Sequence, residues 1–262
     1  MNLIAANIHI QSIGHGPNLI LLHGWGMHSA VWQPLIKKLS QSFKLYLVDL
    51  PGMGFSRPIE PYHLHAVSEK ISEMLPPNAD VVGWSLGGQV AMRLALDHAH
   101  VLRRLVLVGS TPCFVNKADW DIGMTAETFS GFAANVNADY HKTMSQFLTL
   151  QSMGADDARA TVKLLRKKFI ERPVPSSQVL QKALDILLDT DLRPEIAAIR
   201  QPTLLVHGDR DSLAPVQAAH WMMQHLPQGY LRVIAGASHA PFLSNPAQFV
   251  DALIEFLEPE KQ

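Results

Sequence analysis

The sequence predicts an α/β fold in which a mostly parallel central sheet is flanked by helices and an inserted helical lid lies over one edge. Three observations predict it. Short apolar, β-branched runs alternate with amphipathic stretches across short loops, the pattern of a parallel sheet covered on both faces. The stretch Val81-Val82-Gly83-Trp84-Ser85-Leu86-Gly87-Gly88 sets a serine between glycines where one such run passes straight into a helical one. Between Cys113 and about Asp189 the alternation stops and amphipathic helices take over. That interval is too long for a link between sheet elements and reads as an insertion. The chain accordingly divides into a core of residues 1–112 and 190–262 and a lid of residues 113–189.

In chain order, Asn18 to Leu22 is an apolar run that ends in His23-Gly24-Trp25-Gly26, a strand followed by a turn whose glycines permit close backbone approach. Ser29 is expected to cap a helix through Ser40, with Val31, Leu35 and Leu39 on one face. Lys44 to Val48 reads as the next strand, Asp49 to Gly54 as its loop, and Leu64 to Leu75 as a helix. The serine-bearing strand and a helix over Gln89 to Asp97 follow. Arg104 to Val108 forms another strand, stopped by Gly109-Ser110-Thr111-Pro112. The sheet resumes at Gln201 to Val206, and Pro215 suits the first turn of the helix after it. Tyr230 to Ile234 is the last strand, followed by a small-residue loop with His239; Asn245-Pro246 opens the closing helix. In such sheets ligands gather at the carboxyl ends of the strands, where Gly24, Ser85 and Ser110 would all emerge.

Gly-x-Ser-x-Gly between a strand and a helix is the pattern of a nucleophile elbow. The sharp turn strains the serine backbone, and side chains at positions 83 and 87 would collide with neighbouring chain. A serine hydroxyl is a poor nucleophile until a base takes its proton, and the base needs an acid to fix its tautomer. After Ser85 the chain offers a carboxylate at a strand end, Asp211 or Asp209, and then His239. The order Ser, acid, His is that of α/β-hydrolases. Two preorganised amides are needed for the oxyanion; Leu86, at a helix N-terminus, supplies one and Trp25, in the His-Gly-x-Gly turn, the other. His23 is read as a buttress of that turn. Trp84, beside the nucleophile, either lines the pocket or fills the elbow.

Composition narrows the rest. A hydrophobic content of 47% with 17% charged residues fits a globular protein, and a net charge of −1 gives no bulk attraction to nucleic acid or a membrane surface. The N-terminus lacks a basic region followed by an apolar core, and no run approaches a membrane span. The single Cys113 excludes an internal disulfide and suits a reducing compartment, so a cytoplasmic location is expected. Thirteen histidines show no paired metal-ligand spacing. His63/His65 and His98/His100 read as surface, and neither metal nor organic cofactor is expected.

The motifs His-Gly-Trp-Gly, Val-Asp-Leu-Pro-Gly-x-Gly, Gly-Trp-Ser-Leu-Gly-Gly, Ser-Thr-Pro-Cys-Phe, Phe-Leu-Thr-Leu-Gln-Ser-Met-Gly and Ala-Ser-His-Ala-Pro-Phe resemble the methyl ester carboxylesterases of biotin synthesis, which act on pimeloyl-acyl carrier protein. The likeness spans nearly the whole chain, lid included. It implies Ser85, Asp211 and His239 as the triad, with Asp211 preferred to Asp209, and Trp25 and Leu86 at the oxyanion site. It implies that Phe147, Leu148, Thr149, Leu150 and Gln151 line an acyl channel. It also implies acyl carrier protein as partner to a monomeric enzyme.

On the lid, Ala158, Val162, Leu165 and Phe169 share a helix face, and Arg159, Lys163, Arg166 and Lys167 form a stripe beside it. The stripe is either a solvated helix face or a dock for an acidic carrier; in proteins that this one resembles, basic lid residues make that contact. Arg159, Lys163 and, on the preceding helix, Lys142 are the docking candidates, although Gln146 stands where another cation is expected. Phe132, Phe147, Leu148, Leu150 and Met153 are placed near the mouth, as substrate contacts or lid-to-core packing. Rival functions on this scaffold are a hydrolase of small free esters or of carbon–carbon bonds, and a binding protein with a vestigial triad.

Overall fold

The computed structural model describes residues 2–5, 8–125, 127–128, 131 and 140–258. Its sheet begins before the first strand read from the sequence. β1 (Asn2–Ala5) and β2 (Ile8–Ile13) form an antiparallel pair at one edge, and β2 also runs antiparallel to β4 (Lys44–Val48). The buried Ile8 and Ile10 alternate with half-exposed His9 and Gln11, as a strand with one covered face requires.

From β3 (Asn18–Leu22) onward the neighbours are parallel: β3 lies between β4 and β5 (Ala79–Trp84), followed by β6 (Leu102–Val108), β7 (Thr203–Gly208) and β8 (Gly229–Ile234). Eight strands are thus described, in the order β1-β2-β4-β3-β5-β6-β7-β8. Because side chains alternate across a strand, these apolar runs feed two cores. Ile20, Leu22, Val81, Leu105, Leu107 and Leu205 pack on one face with α2 (Leu64–Ser72), α3 (Leu86–Asp97) and α7 (Val216–His225). Leu19, Leu21, Val82, Val106, Val108 and Val206 pack on the other with α1 (Gln33–Leu39) and α8 (Pro246–Leu257). Each such side chain contributes about 1.5–3 kcal/mol on burial.

Register makes this scaffold a platform. Leu22 pairs with Gly83, Trp84 with Val108, Val108 with Val206, and Gly208 with Ile234. The carboxyl ends of β3, β5, β6, β7 and β8 therefore finish level, and their loops open on one edge. Over that edge lie α4 (Tyr140–Leu150), α5 (Ala158–Phe169) and α6 (Ser177–Asp189), all from the interval between β6 and β7. That interval also holds isolated bridges, Val115 with Met124 and Lys117 with Trp120, where the sequence suggests only helices.

The Ser29 cap is a correction. Residues Ser29–Trp32 form a 3₁₀ turn, and α1 begins only at Gln33, with a proline in its first turn. Ser29 caps nothing; its own amide donates to Asp49 Oδ1 at 2.8 Å. Pro215 likewise sits one place before α7, as its N-cap.

Candidate active site

Ser85 occupies φ 56°, ψ −118°, a conformation that L side chains rarely adopt. Its amide donates to Val108 at 3.0 Å, and its carbonyl accepts from the Gly88 amide at 2.9 Å and from Ser110 Oγ at 2.9 Å. The turn is tight because its neighbours have no side chains. A Cβ on Gly83 would lie 2.3 Å from the Gly87 carbonyl oxygen, and one on Gly87 would lie 2.6 Å from the carbonyl oxygens of Leu22 and His23. Glycine at both positions is thus a steric requirement of bringing β5, α3 and the loop after β3 together.

Opposite the elbow, the loops after β7 and β8 bring Asp211 Oδ2 within 2.9 Å of His239 Nδ1, both groups buried. Asp211 Oδ1 accepts from the amides of Leu213 and Ala214 at 2.9 and 3.0 Å, which fixes the carboxylate plane. A carboxylate only accepts, so Nδ1 carries the proton and Nε2 presents a lone pair. Asp209 is engaged elsewhere, accepting from the Gly236 amide at 2.8 Å. Backbone also holds the imidazole: the His239 carbonyl accepts from Trp84 Nε1 at 2.8 Å, and its amide donates to Gln151. His239 Nε2 is buried without a hydrogen-bond partner among the described residues, and it shares its cavity with Ser85.

That cavity is narrow and is lined by Trp25, Ser85, Phe114, Met124, Phe147, Leu184, Leu187, Leu213 and His239. Apart from Ser85 and His239 the lining is apolar or aromatic. Trp25 reaches the wall because Nε1 donates to the Leu180 carbonyl on α6 at 2.9 Å and the ring meets Phe147 edge-on at 4.9 Å. The Leu86 amide opens α3, where helix geometry leaves it no intrahelical acceptor. Neither it nor the Trp25 amide donates to another group among the described residues.

Residues 17–246 match the profile of the alpha/beta hydrolase fold. A protein of Nitrosomonas europaea named pimeloyl-[acyl-carrier protein] methyl ester esterase is 48% identical over 94% of this chain and 97% of its own. One of the same name from Vibrio vulnificus is 38% identical over 97% and 99%. The chain belongs to the α/β-hydrolase family, among the pimeloyl-[acyl-carrier protein] methyl ester esterases. Solved structures agree on the fold. An esterase of Exiguobacterium antarcticum superposes with a TM-score of 0.87 at 22% identity, covering 95% of this chain and 94% of the other.

Within this α/β hydrolase the expected acyl-channel residues part company. Phe147 lines the cavity, Leu148 is buried in the core on the sheet's opposite face, Thr149 is exposed, and Leu150 is half-buried. Gln151 is buried, with its carbonyl on the His239 amide. Successive residues of a helix turn by about 100° each, so a run from 147 to 151 cannot share one wall. Trp84, too, stays out of the cavity: it points to the face opposite Gly83 and packs on Phe242 at 5.1 Å. Phe132 lies outside the described residues. The lining residues that sequence reasoning missed are Phe114, Met124, Leu184, Leu187 and Leu213. Leu184 and Leu187 were findable as an i, i+3 pair on α6; Phe114 and Leu213 follow strand ends.

On the outside, Arg159 and Lys163 are exposed with no carboxylate partner among the described residues, and Lys142 is exposed on α4. A surface groove runs between α4 and α5, lined by Met153, Ala158 and Val162 and rimmed by Arg159, Lys163 and Arg166. Arg166 is tied to Ser145 Oγ at 2.8 Å. The buried face of α5 is Thr161, Leu165 and Lys168, displaced from the expected stripe because Lys168 turns inward to Glu171 at 2.8 Å and to Gln33. Cys113 is buried, its thiol donating to the Val115 carbonyl, and burial pushes its pKa up. His63, read as surface, caps α2 by accepting the Ala66 amide at 3.2 Å. Among the described residues no helix is long and apolar enough to cross a membrane.

Proposed function

We propose that the chain is a serine carboxylesterase that hydrolyses the methyl ester of pimeloyl-acyl carrier protein, the substrate for which its curated relatives are named. The observation that carries the reading is the unpartnered His239 Nε2 facing the same apolar cavity as Ser85, with Asp211 clamped behind it.

His239 Nε2 takes the Ser85 proton as Oγ attacks the ester carbonyl carbon. The carbonyl electrons move onto oxygen, which the Trp25 and Leu86 amides receive. The tetrahedral intermediate collapses, the C–O bond to methoxide breaks, and His239 gives that oxygen its proton, releasing methanol. Water then gives a proton to His239 and attacks the acyl-enzyme; the acid leaves as the proton returns to Ser85. Before substrate binds, the serine–histidine hydrogen bond need not be made, since such bonds often tighten only in the complex.

Residues 113–189 act as a lid in this reading, and the apolar walls from Phe114, Leu184 and Leu187 suit a hydrocarbon chain. An acidic carrier docks outside, where Arg159 and Lys163 flank an apolar groove and Lys142 extends the basic surface.

The test is hydrolysis of a carrier-linked pimeloyl methyl ester, with restored biotin-independent growth of a strain lacking the methyl esterase. Ser85→Ala is expected to abolish both while preserving the fold. Reversing charge at Arg159 and Lys163 is expected to slow the carrier-linked substrate and spare a short aryl ester; equal loss on both would make the stripe structural.

A further inference from the structure

One buried ring decides which way a peptide plane faces beside the nucleophile. His23 is fully buried, and its Nε2 lies 2.9 Å from the amide of Leu50. An amide can only donate, so Nε2 accepts and the ring proton sits on Nδ1. That proton goes to the Gly24 carbonyl at 2.8 Å, which the Met27 amide also reaches at 3.3 Å. The Gly24 carbonyl and the Trp25 amide are two ends of one trans peptide and point in opposite directions. Holding the first aims the second. The plane borders the reacting serine: a Cβ on Gly24 would stand 3.2 Å from Ser85 Cβ.

We propose that His23 is a positioning residue for hydrolysis, holding the Gly24 carbonyl by its Nδ1 proton so that the Trp25 amide is kept as an oxyanion donor. The inference rests on Ser85 being the nucleophile. A ring that merely fills space beneath the turn would need neither a particular tautomer nor two bonds to backbone on either side. Burial supports a single neutral form, outweighing the pull of the nearby Asp49 charge and holding the His23 pKa at about 4. Without the Nδ1 proton, the peptide loses its anchor and is free to rotate its N–H away from the oxyanion.

Three variants and a pair of substrates test this. An asparagine side chain sets its amide near the place of Nδ1, whereas glutamine sets it near the place of Nε2. For His23→Ala, kcat on a short aryl ester is expected to fall by about 10²-fold, the loss typical of one oxyanion donor, with KM nearly unchanged. The rate ratio between this ester and its thiono analogue, whose sulfur anion is a poor acceptor, is expected to fall with it. His23→Asn is expected to recover much of both losses, and His23→Gln little. A folded His23→Ala with wild-type kcat and an unchanged ratio would overturn the proposal. If the alanine variant does not fold, the other two decide, and equal kcat in Asn and Gln variants of similar Tm overturns it. Organophosphate labelling of wild-type Ser85 separates the two failures: no label defeats the nucleophile reading, whereas a labelled serine with an indifferent ratio defeats the role of His23 alone.

Discussion

The amide of His239 donates to the carbonyl of Gln151 across 3.1 Å, so the loop that carries the imidazole is bonded to the turn that closes α4. The same turn is fastened again where the Asp156 amide donates to Gly236 at 2.9 Å, and where Arg210 reaches the Gly154 carbonyl at 2.9 Å and Asp156 Oδ1 at 2.6 Å. Loops joined in this way open together. The amides of His239 and Asp156 are therefore expected to exchange hydrogen at closely matched rates. Arg210→Ala removes an exposed ion pair, worth less than about 1 kcal/mol, together with the exposed hydrogen bond to the Gly154 carbonyl. It is expected to speed both amides together while leaving β5 unchanged. Exchange rates that diverge in the variant would show two independent loops.

The strain at Ser85 has a measurable counterpart. A non-glycine residue at φ 56°, ψ −118° costs about 1–3 kcal/mol, and glycine relieves it at an unfolded-state entropy cost of about 0.5–1 kcal/mol. Ser85→Gly is expected to be inactive yet more stable than wild type by about 1 kcal/mol in urea denaturation. Ser85→Ala, which keeps the strain, is expected to stay near wild type. Equal stability in all three would mean that the elbow stores nothing.

How much of this was legible in the sequence depends on whether a local pattern or a tertiary contact decides each feature. The elbow glycines, the strand ends and the order Ser85, Asp211, His239 are local signals, and each survives in the geometry because the parallel register brings those ends level. Leu148 was misplaced for the opposite reason, and of the two readings of Trp84 only the elbow-filling one holds. Proximity along the chain says nothing of facing, and both side chains point across an element from the neighbour that drew attention to them. Met124 was invisible because its role comes from a fold-back closed by its bridge to Val115. Asp49, read only as part of a loop, proved a hub whose partners come from distant parts of the chain.

That hub yields the next prediction. Buried Asp49 accepts from the amides of Ser29 at 2.8 Å and Phe55 at 3.0 Å, from His9 Nδ1 at 3.1 Å, and from the guanidinium of Arg172, just past α5. Burial alone would raise its pKa; His9, His23, Arg172 and the Phe55 amide more than offset that and hold the carboxyl well below its ordinary range. Removing one partner of a buried pair costs about 3–5 kcal/mol, and the remaining donors favour the low end for Arg172→Met. Asp49→Asn is expected to be destabilising too. The double variant should lose clearly less than the sum of the single losses, as urea midpoints will report. Strict additivity would mean that the pair is not coupled.

Two neutral histidines set how the fold responds to mild acid. Burial is the chief cause of the low pKa of both His23 and His207, about 4 in each against an ordinary 6.5. Below pH 6.5 the unfolded chain takes up protons at these rings that the native state refuses until about pH 4. The unfolded state thus binds more protons throughout that window, and stability rises with pH across it. The contribution is fully present above pH 6.5 and is lost as pH falls toward 4. At about 1.4 kcal/mol per pKa unit, each ring accounts for about 3 kcal/mol over the whole window. Asp49 acts in the same direction but lower, because its depressed carboxyl protonates only below the ordinary carboxylate range. His207→Asn separates the windows. It removes one proton uptake, so its loss of stability between pH 6.5 and 4.5 is expected to be smaller than that of wild type by about 2 kcal/mol, whatever its stability at pH 7. Urea midpoints at the two pH values, with the denaturant slope unchanged, give the difference directly. A wild-type-sized drop in the variant would mean that native His207 takes up its proton over the same pH range as in the unfolded chain, and the charged ring would then need an acceptor besides the Ala214 carbonyl that it faces at 3.4 Å.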